Sequence, residues 1–527
     1  MDLTAKHRQV WESVTRLSDE QSSAGIIQLP TTEKLELSDP GEETVRELID
    51  AFGPPLYRTE MGLPSRLNER FWSEFLAAER IMIFERDENQ FYLYNPANGL
   101  YESLTAQRLK VHLSDLIREA NANWGGCHGI TKLDTEKARS SVVELTRGVV
   151  EKRDFFVNRP WAIHCQNTML VMEGGEITTK PFSSDFRSRN QVSVAYEAKA
   201  TCPRFQKELL EPAVSKEDTE LIQKMFGLIA LGVNRPQRIY LLQGAPNTGK
   251  TTLGRLITVL NGRWNYSELR TEHLTDRFET SRALGKTLLF GPDVKAHFLQ
   301  SEGAHRLKSM VGGDPMDAER KNSNASFPFP GDLNVLITSN SRLLVRLEGD
   351  MGAWERRLTI IEFSGQGPAK RIDGFHEILL AQEGSGILNW ALSGLVKYEQ
   401  DHQIRGDIVL SDNQKARVAG LLSESDGLRT FLETELVLTK DANLTVDEIT
   451  IAFAKYARTR QWKLLKASVI HNQVRDLMME LYCMSQSHDI KREGTDENGE
   501  PKTRTSRGYH GVRLREPDED DPPAMEE

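Results

Sequence analysis

The octapeptide Gly244-Ala-Pro-Asn-Thr-Gly-Lys250-Thr251 constrains this chain more than any other feature. It has the form G-x-x-x-x-G-K-[ST], follows a short apolar run, Arg238–Leu242, and precedes a helical run, Thr252–Leu260, stopped at Gly262. In that setting the glycines let backbone N–H groups curl around a phosphate at a helix N-terminus. Lys250 then reaches the β- and γ-phosphate oxygens and the Thr251 hydroxyl can hold Mg²⁺. The expected nucleotide set is therefore Gly244, Ala245, Pro246, Asn247, Thr248, Gly249, Lys250, Thr251 and Thr252, with ATP and Mg²⁺ as the cofactors. An ordinary Gly-rich turn before a helix is the bland reading, and the flanking strand and helix weigh against it. Two more apolar strands, Thr287–Phe290 and Leu333–Thr338, are separated by helical segments. That alternation predicts a parallel α/β sheet with its ligand at the strand carboxyl ends.

A nucleoside triphosphatase also needs an acid at the end of a neighbouring strand to hold Mg²⁺ or its water. LLFGPDVK offers Asp293, although Pro292 makes a simple surface turn plausible by itself. A second acid beside it is missing, because positions 291 and 292 are Gly and Pro. The strand LNVLITSN ends in Asn340, which could hydrogen-bond the γ-phosphate or orient water but is by itself an ordinary turn former. WERRLTIIEF places Arg356 and Arg357 before an apolar strand, where one guanidinium could stabilise transition-state charge; a pair of solvated arginines is the alternative.

The 527 residues predict several domains, and hydrophobic residues at 38% with charged residues at 27% are globular values. No apolar stretch reaches membrane-span length, and the N-terminal residues lack the apolar core of a secretory signal. Cys127, Cys165, Cys202 and Cys483 have no paired spacing, so a reducing, cytoplasmic home is expected, with no disulfide framework and no zinc site. A net charge of -10 argues against coating nucleic acid with the whole surface. Glu516–Glu527 alone holds seven acids and no cation, so the body is nearly balanced.

Residues 1–60 read as a flexible arm. Phe71, Phe75, Leu76 and Ile81 suit a helix, FYLYNPANGLYESL alternates like a hairpin around Asn95–Gly99, and Thr105–Ala122 reads as an amphipathic helix. Cys202–Pro203 breaks the chain before another helix, and Lys216–Leu231 is helical. Near the C-terminus Thr445 and Glu448 form a capping-box pattern opening a helix over Val446–Thr459, and Lys466–Leu481 is a second helix, carrying Arg475. Lys491–Arg515 reads as a hairpin whose last strand is cationic, through Lys502, Arg504, Arg507, Arg513 and Arg515. Binding DNA and being merely solvated remain open for it.

In order and spacing, GAPNTGKTT, LLFGPDVK, VGGDPMDAERKNSNASFPFPGDLNVLITSN and WERRLTIIEF resemble superfamily-three AAA+ helicases, and more narrowly the helicase part of phage and plasmid replication primase–helicases of the poxvirus type. AKATCPRFQKELL looks like the segment preceding the helicase in these proteins, and RGYHGVRLRE like the close of their C-terminal DNA-binding domain. The resemblance implies an α/β fold with an AAA+ P-loop sheet over residues 216–400. Around it would lie an α+β domain at 61–215, a helical linker at 401–440, a winged helix at 441–515 and an acidic tail at 516–527. It implies Lys250 and Thr251 for ATP–Mg²⁺, Asp293 as Walker B acid, Asn340 as sensor one and Arg357 as an arginine finger acting in trans, with Arg356 the fallback. Between Gly313 and Pro328 it implies a pore hairpin gripping single-stranded DNA through Arg320 and Lys321. The implied activity is 3′→5′ DNA unwinding by a homo-hexameric ring in replication of a mobile element. No primase site precedes the helicase motifs, which leaves room for a separate primase partner. An ATP-switched DNA-binding initiator without productive unwinding is the alternative.

Overall fold

The computed structural model describes residues 42–124, 126–157, 159–295, 298–314, 316–319, 326–329, 331–343, 345, 351–365, 372–460, 462, 464–495 and 501–516. The chain divides into two units, residues 1–80 with 113–146, and residues 81–112 with 147–527.

The first unit opens with α1 (Glu42–Phe52), the antiparallel pair β1 (Leu56–Arg58) and β2 (Pro64–Leu67), and α2 (Glu69–Glu79). Asn68 caps α2 by accepting the Phe71 N–H at 3.2 Å, while its amide donates to Phe52 O and Pro54 O at 2.8 Å each. Phe71, Trp72 and Phe75 are buried on one face of α2, with the Trp72 ring stacked on Trp124 at 5.7 Å. The arm expected over residues 1–60 is thus folded from Glu42 on, because Leu56, 5% exposed, and the Pro55 carbonyl, bonded by Trp72 Nε1 at 3.0 Å, belong to this core. Residues 1–41 lie outside the described residues. Ile81, expected on the buried face of α2, falls beyond its end and is 53% exposed.

The second unit begins with β3 (Met82–Glu85), β4 (Gln90–Asn95) and β5 (Leu100–Leu104), the last two forming the hairpin expected around Asn95–Gly99. Helices α3 (Ala106–Asn123) and α4 (Glu136–Val150) carry the chain into the first unit and back, after which β6 (Glu151–Lys152) pairs parallel to β3. A three-stranded antiparallel sheet follows, β7 (Ala162–His164), β8 (Met169–Glu173) and β9 (Glu176–Lys180). The helix expected after Cys202–Pro203 is a π-helical turn over Phe205–Leu210, whose opening amides, those of Arg204 and Phe205, are held by the Glu383 carboxylate at 3.0 and 2.9 Å.

Next come α5 (Lys216–Leu231), β10 (Ile239–Gly244), α6 (Lys250–Asn261), β11 (Tyr266–Glu268), β12 (Leu288–Gly291), α7 (Glu302–Gly312), the antiparallel pair β13 (Met316–Glu319) and β14 (Ser326–Phe329), β15 (Asn334–Ser339), α8 (Met351–Arg357) and β16 (Leu358–Phe363). Five of these strands form one parallel sheet in the order β11-β12-β15-β10-β16. The central strands are apolar on both faces, as a parallel sheet covered on both sides requires. The alternating segments were therefore legible as strands even without a period-two pattern.

A long helix, α9 (Phe375–Arg405), packs on α5 with backbones almost touching. A Cβ on Gly394 would lie 2.0 Å from Gln223 O, and one on Gly227 would lie 2.6 Å from Ala391 O. Then come α10 (Asp412–Ser425) and α11 (Gly427–Glu435). Asp218 in the first turn of α5, fully buried, accepts both hydrogen bonds of a two-oxygen contact from Arg417 Nη1 in α10 at 2.9 and 2.8 Å, and a further bond from Gln414 at 3.0 Å.

The chain closes with β17 (Leu436–Thr445), α12 (Val446–Thr459), α13 (Ala467–Tyr482), β18 (Ser487–Thr495) and β19 (Pro501–Leu514). The three strands form an antiparallel sheet in the order β17-β19-β18 over a core that includes Phe431, Phe453, Val474 and Tyr509. The capping box is formed: Thr445 Oγ1 accepts the Glu448 N–H at 3.1 Å and Glu448 accepts the Thr445 N–H at 2.8 Å. All four cysteines are free thiols, three of them buried. Among the described residues no helix is long and apolar enough to cross a membrane.

Candidate functional site

The loop between β10 and α6 is shaped by its glycines. Gly244 pairs with Phe363 in β16, and a Cβ there would lie 2.3 Å from Phe363 O, so any side chain would force the strands apart. Gly249 has φ +96°, a left-handed conformation that side chains disfavour, and starts α6 by accepting the Leu253 N–H at 2.9 Å. Asn247 is also left-handed, at φ +66°, as short amide side chains tolerate. Thr248 Oγ1 donates to Ala245 O at 2.9 Å and closes the loop. Beneath it lies the π-helical turn, whose Leu209 methyl would be 3.2 Å from a Cβ on Gly249. Helix geometry leaves the first amides of α6 without intrahelical acceptors, which makes this end of the helix attractive to an anion.

Lys250 is only 4% exposed. Its ammonium donates to Gly244 O at 2.8 Å, Ala245 O at 2.6 Å and Thr248 Oγ1 at 3.2 Å, curling back over the loop. Burial lowers its pKa, and the Asp293 carboxylate opposes that shift. Pro246 is exposed on the outer curve of the loop, Thr251 is exposed and Thr252 half-buried.

The carboxyl ends of β12 and β15 are locked together beside the loop. Asp293 sits in a turn with φ +49°, its N–H held by Thr338 Oγ1 at 2.9 Å, and Asn340 Nδ2 donates to its carboxylate at 2.8 Å. The next residue, Val294, donates its N–H to Thr338 O and accepts from Ser339 Oγ at 2.9 Å. Asp293 and Asn340 are therefore in direct contact, and both are exposed at the sheet edge where Lys250 lies. Thr338 and Ser339, which hold this turn, carry no sequence signal beyond ending an apolar strand.

The two arginines of α8 part company. Arg357 is 5% exposed, its Nη1 donating to Ala353 O at 3.2 Å, and Gly312 leaves room for its guanidinium, since a Cβ there would lie 2.7 Å from Nη2. Arg356 is exposed. Strands β13 and β14 pair antiparallel where the hairpin was expected, while Arg320 and Lys321 lie outside the described residues.

Of the C-terminal cations, Arg475 on α13 is exposed beside Asp476 at 3.1 Å, and Arg504 and Arg507 are exposed on β19. Three residues apart on one strand, Arg504 and Arg507 point to opposite faces. Arg513 is half-buried, its Nη1 donating to Leu514 O at 3.1 Å. Arg492, one of the basic residues of this hairpin, binds Glu448 at 2.8 Å through both Nε and Nη2, and drives that carboxyl down to about 2.

Among the described residues no group of three His, Cys, Asp or Glu could hold a metal alone. Thr251, which follows Lys250, and Asp293, which acts electrostatically on Lys250, are both exposed oxygen donors, a set that suits a cation that keeps several waters and takes only one or two protein ligands.

Residues 242–357 match a family described as a family of unknown function (DUF5906). No curated protein matches the chain. Similar solved structures include the A form apo structure of the NrS-1 C terminal region, at 13% identity and a TM-score of 0.45, covering 84% of this chain and 98% of that one. Another is the apo structure of the NrS-1 C terminal region (305-718), at the same identity and coverage with a TM-score of 0.44.

Proposed function

We propose that this chain is an ATP-hydrolysing DNA helicase built on a P-loop AAA+ sheet of the superfamily-three type, with a winged helix at its C-terminus. The observation that carries the reading is the convergence of Lys250, Asp293 and Asn340 at the carboxyl ends of β10, β12 and β15, with β15 lying between the other two. Placing the acid two strands from the loop leaves room for a γ-phosphate and its attacking water in front of β15, where Asn340 stands.

In this reading Lys250 exchanges the carbonyls of Gly244 and Ala245 for the β- and γ-phosphate oxygens. The loop holds the ammonium ready, at some desolvation cost that phosphate charge relieves. Thr251 and Asp293 would hold Mg²⁺, directly or through water; the ion would neutralise charge on the phosphates and leaving group. Asn340 keeps the Asp293 carboxylate aimed and, by moving its amide to the γ-phosphate, can report whether that phosphate is present.

Arg356, rather than the buried Arg357, is the guanidinium that α8 offers to a neighbouring subunit, so the finger in trans is assigned to it. A homo-hexamer is the assembly in which each subunit supplies that residue to the next. The hairpin β13–β14, with Arg320 and Lys321, would then grip one strand, and Arg475, Arg504, Arg507 and Arg513 would serve duplex or origin DNA. The direction of movement, 3′→5′, and a role in replicating a mobile element follow from the resemblance alone.

A second reading has one observation in its favour. Asp293 stands without a neighbouring acid, since Gly291 and Pro292 precede it, so the site is short of a dedicated base and could work as a slow ATP switch for a DNA-bound initiator. Strand displacement on forked DNA beside ATPase assays with and without single strand separates the two. Unwinding with strand-stimulated turnover is expected. ATP binding without either would overturn the helicase reading in favour of the switch, and absence of nucleotide binding would remove both.

A further inference from the structure

At the amino ends of the parallel strands, the sheet edge opposite Lys250, the second unit encloses a cavity of about 110 Å³. Four cations face it: Arg159 from the segment before β7, Arg187 and Arg189 from the segment after β9, and Lys286 from the residues leading into β12; Arg187 lies over the Phe155 ring at 4.9 Å. Five carboxylates also line it, but most are engaged. Glu85 accepts the N–H groups of Asp154 and Phe155 at 3.2 and 2.9 Å, and Asp87 pairs with Arg153 at 3.3 Å. Glu88 takes the Tyr92 hydroxyl at 2.5 Å and Arg189 Nη1 at 2.6 Å.

That leaves Asp154 and Asp332. Among the described residues neither Arg159 nor Lys286 has a carboxylate within 4.0 Å, and Asp332 acts on Arg159 only from further away. Arg159 Nη2 reaches no better than Gly232 O at 3.5 Å, and Lys286 donates to Trp264 O at 3.0 Å. Burial lowers the pKa of both, and the charge of Arg189 lowers each further. Burial first, and the charge of Arg189 second, thus disfavour the charged forms of Arg159 and Lys286, and an anion placed between these two would offset that cost.

Beside it stands Trp264, 66% exposed, with Lys286 Nζ 5.5 Å and Arg263 Cζ 5.4 Å from its ring centroid. Trp161, two residues after Arg159, is 50% exposed under Arg235 at 4.6 Å. An exposed indole offers a face on which a base can stack. The cavity opens to solvent, and Trp264 stands at Lys286, where a base next to a bound phosphate would meet the indole.

We infer that this cavity is a second nucleic-acid site, taking a backbone phosphate of a single strand between Arg159 and Lys286 while an adjacent base stacks on Trp264. A duplex hides the base face that the indole needs, which selects single strands. Asp332 and Leu333 in its wall follow β14 in the chain, on the same unit as the β13–β14 pair.

The test uses the full chain without nucleotide, so its outcome is independent of the ATP site. Binding of a fluorescein-labelled oligothymidylate is followed by anisotropy over a NaCl series for Trp264→Ala, Lys286→Glu and Arg159→Gln. Trp264→Ala should weaken binding by roughly 5- to 150-fold, the range for one stacked base. Lys286→Glu should lower the slope of log K against log[NaCl] by about 0.7 for each phosphate that is no longer neutralised.

A 5-iodouracil oligonucleotide should cross-link to the peptide bearing Trp264 or Trp161. ATPase without DNA should stay at the wild-type rate in Trp264→Ala. Wild-type affinity in Trp264→Ala, within about twofold, with cross-links only to other peptides, would overturn the site. So would an equal loss for duplex, or competition by thymidine monophosphate as effective as by the oligomer, which would mean a nucleotide site only. If Arg159→Gln fails to fold, the exposed Trp264 and the half-buried Lys286 variants still decide the matter.

Discussion

Lys250→Met should leave the nucleotide-free protein nearly as stable as the wild type while removing its response to ATP. In the free protein the ammonium makes three hydrogen bonds, to Gly244 O, Ala245 O and Thr248 Oγ1. Hydrogen bonds to charged groups contribute typically about 1.5–3 kcal/mol each, but this ammonium is buried enough to lower its pKa, so its own desolvation offsets much of that gain. Residues 245–247 are exposed, and water can reach the carbonyl of Ala245 once the lysine is gone.

Methionine keeps the length of the stem, so the net change should be within about 1.5 kcal/mol in either direction. Wild type at a nucleotide concentration 100 times its Kd should gain about 2.7 kcal/mol from binding, and the variant should gain little at the same concentration. Thermal shift with and without Mg²⁺–ATP, with phosphate release measured in parallel, reads both. Undiminished hydrolysis in Lys250→Met would refute the site. A collapse of nucleotide-free stability by several kcal/mol would show that Lys250 is there to hold the loop.

Arg356→Ala should bind nucleotide yet lose hydrolysis, and mixing it with Lys250→Ala subunits should restore part of the activity; Arg357→Ala should instead lower the melting temperature, since it empties a buried position beside Gly312. Failure of rescue with both variants assembled would sink the trans assignment of Arg356. Arg417→Met should destabilise by about 3–5 kcal/mol in urea titration, because it leaves the fully buried Asp218 carboxylate with the Gln414 amide and the Glu362 N–H but no countercharge. A loss under about 1 kcal/mol would mean that water replaces the guanidinium. The Glu448 carboxyl is held near 2 by Arg492, so its contribution to stability is present above the ordinary 4.5 and fades as pH falls towards 2; the stability gap between wild type and Glu448→Gln should close over that window and be constant above it.

The parts of this chain that could be read in sequence are those whose physics is local. The loop Gly244–Thr251, the doubly apolar strands beside it and the Thr445–Glu448 capping box each depend on residues within one turn or strand. The arginine pair shows where local reading stops. WERRLTIIEF reads as a strand preceded by two equivalent cations, but α8 runs up to Arg357, so Trp354 and Arg357, three apart, share the buried face while Arg356 turns outward. The cavity of Arg159, Arg189 and Lys286 is invisible in sequence for a different reason: its wall is drawn from segments spread from Glu85 to Leu333, and no spacing announces it. The same holds for the basic hairpin near the C-terminus, where composition groups Arg492, Arg504 and Arg507 together while strand alternation and the Glu448 pairing separate them.

The turn at Asp293 is where the ordinary and the functional readings of one residue meet. The Gly-Pro-Asp sequence predicts a simple turn, and a turn it is, with Asp293 at φ +49°. A left-handed aspartate costs about 1 kcal/mol that glycine would not. That cost is tolerable only because Thr338 holds its amide and Asn340 its carboxylate, from the strand inserted between β10 and β12. Were the turn needed only to end β12, glycine would serve better and Asn340 would have nothing to bind. A carboxylate fixed in a strained turn, clamped by an amide and acting on the buried ammonium of Lys250, is an arrangement that structure alone does not require. In the proposed reading it would become favourable with a phosphate and its cation placed between the two charges.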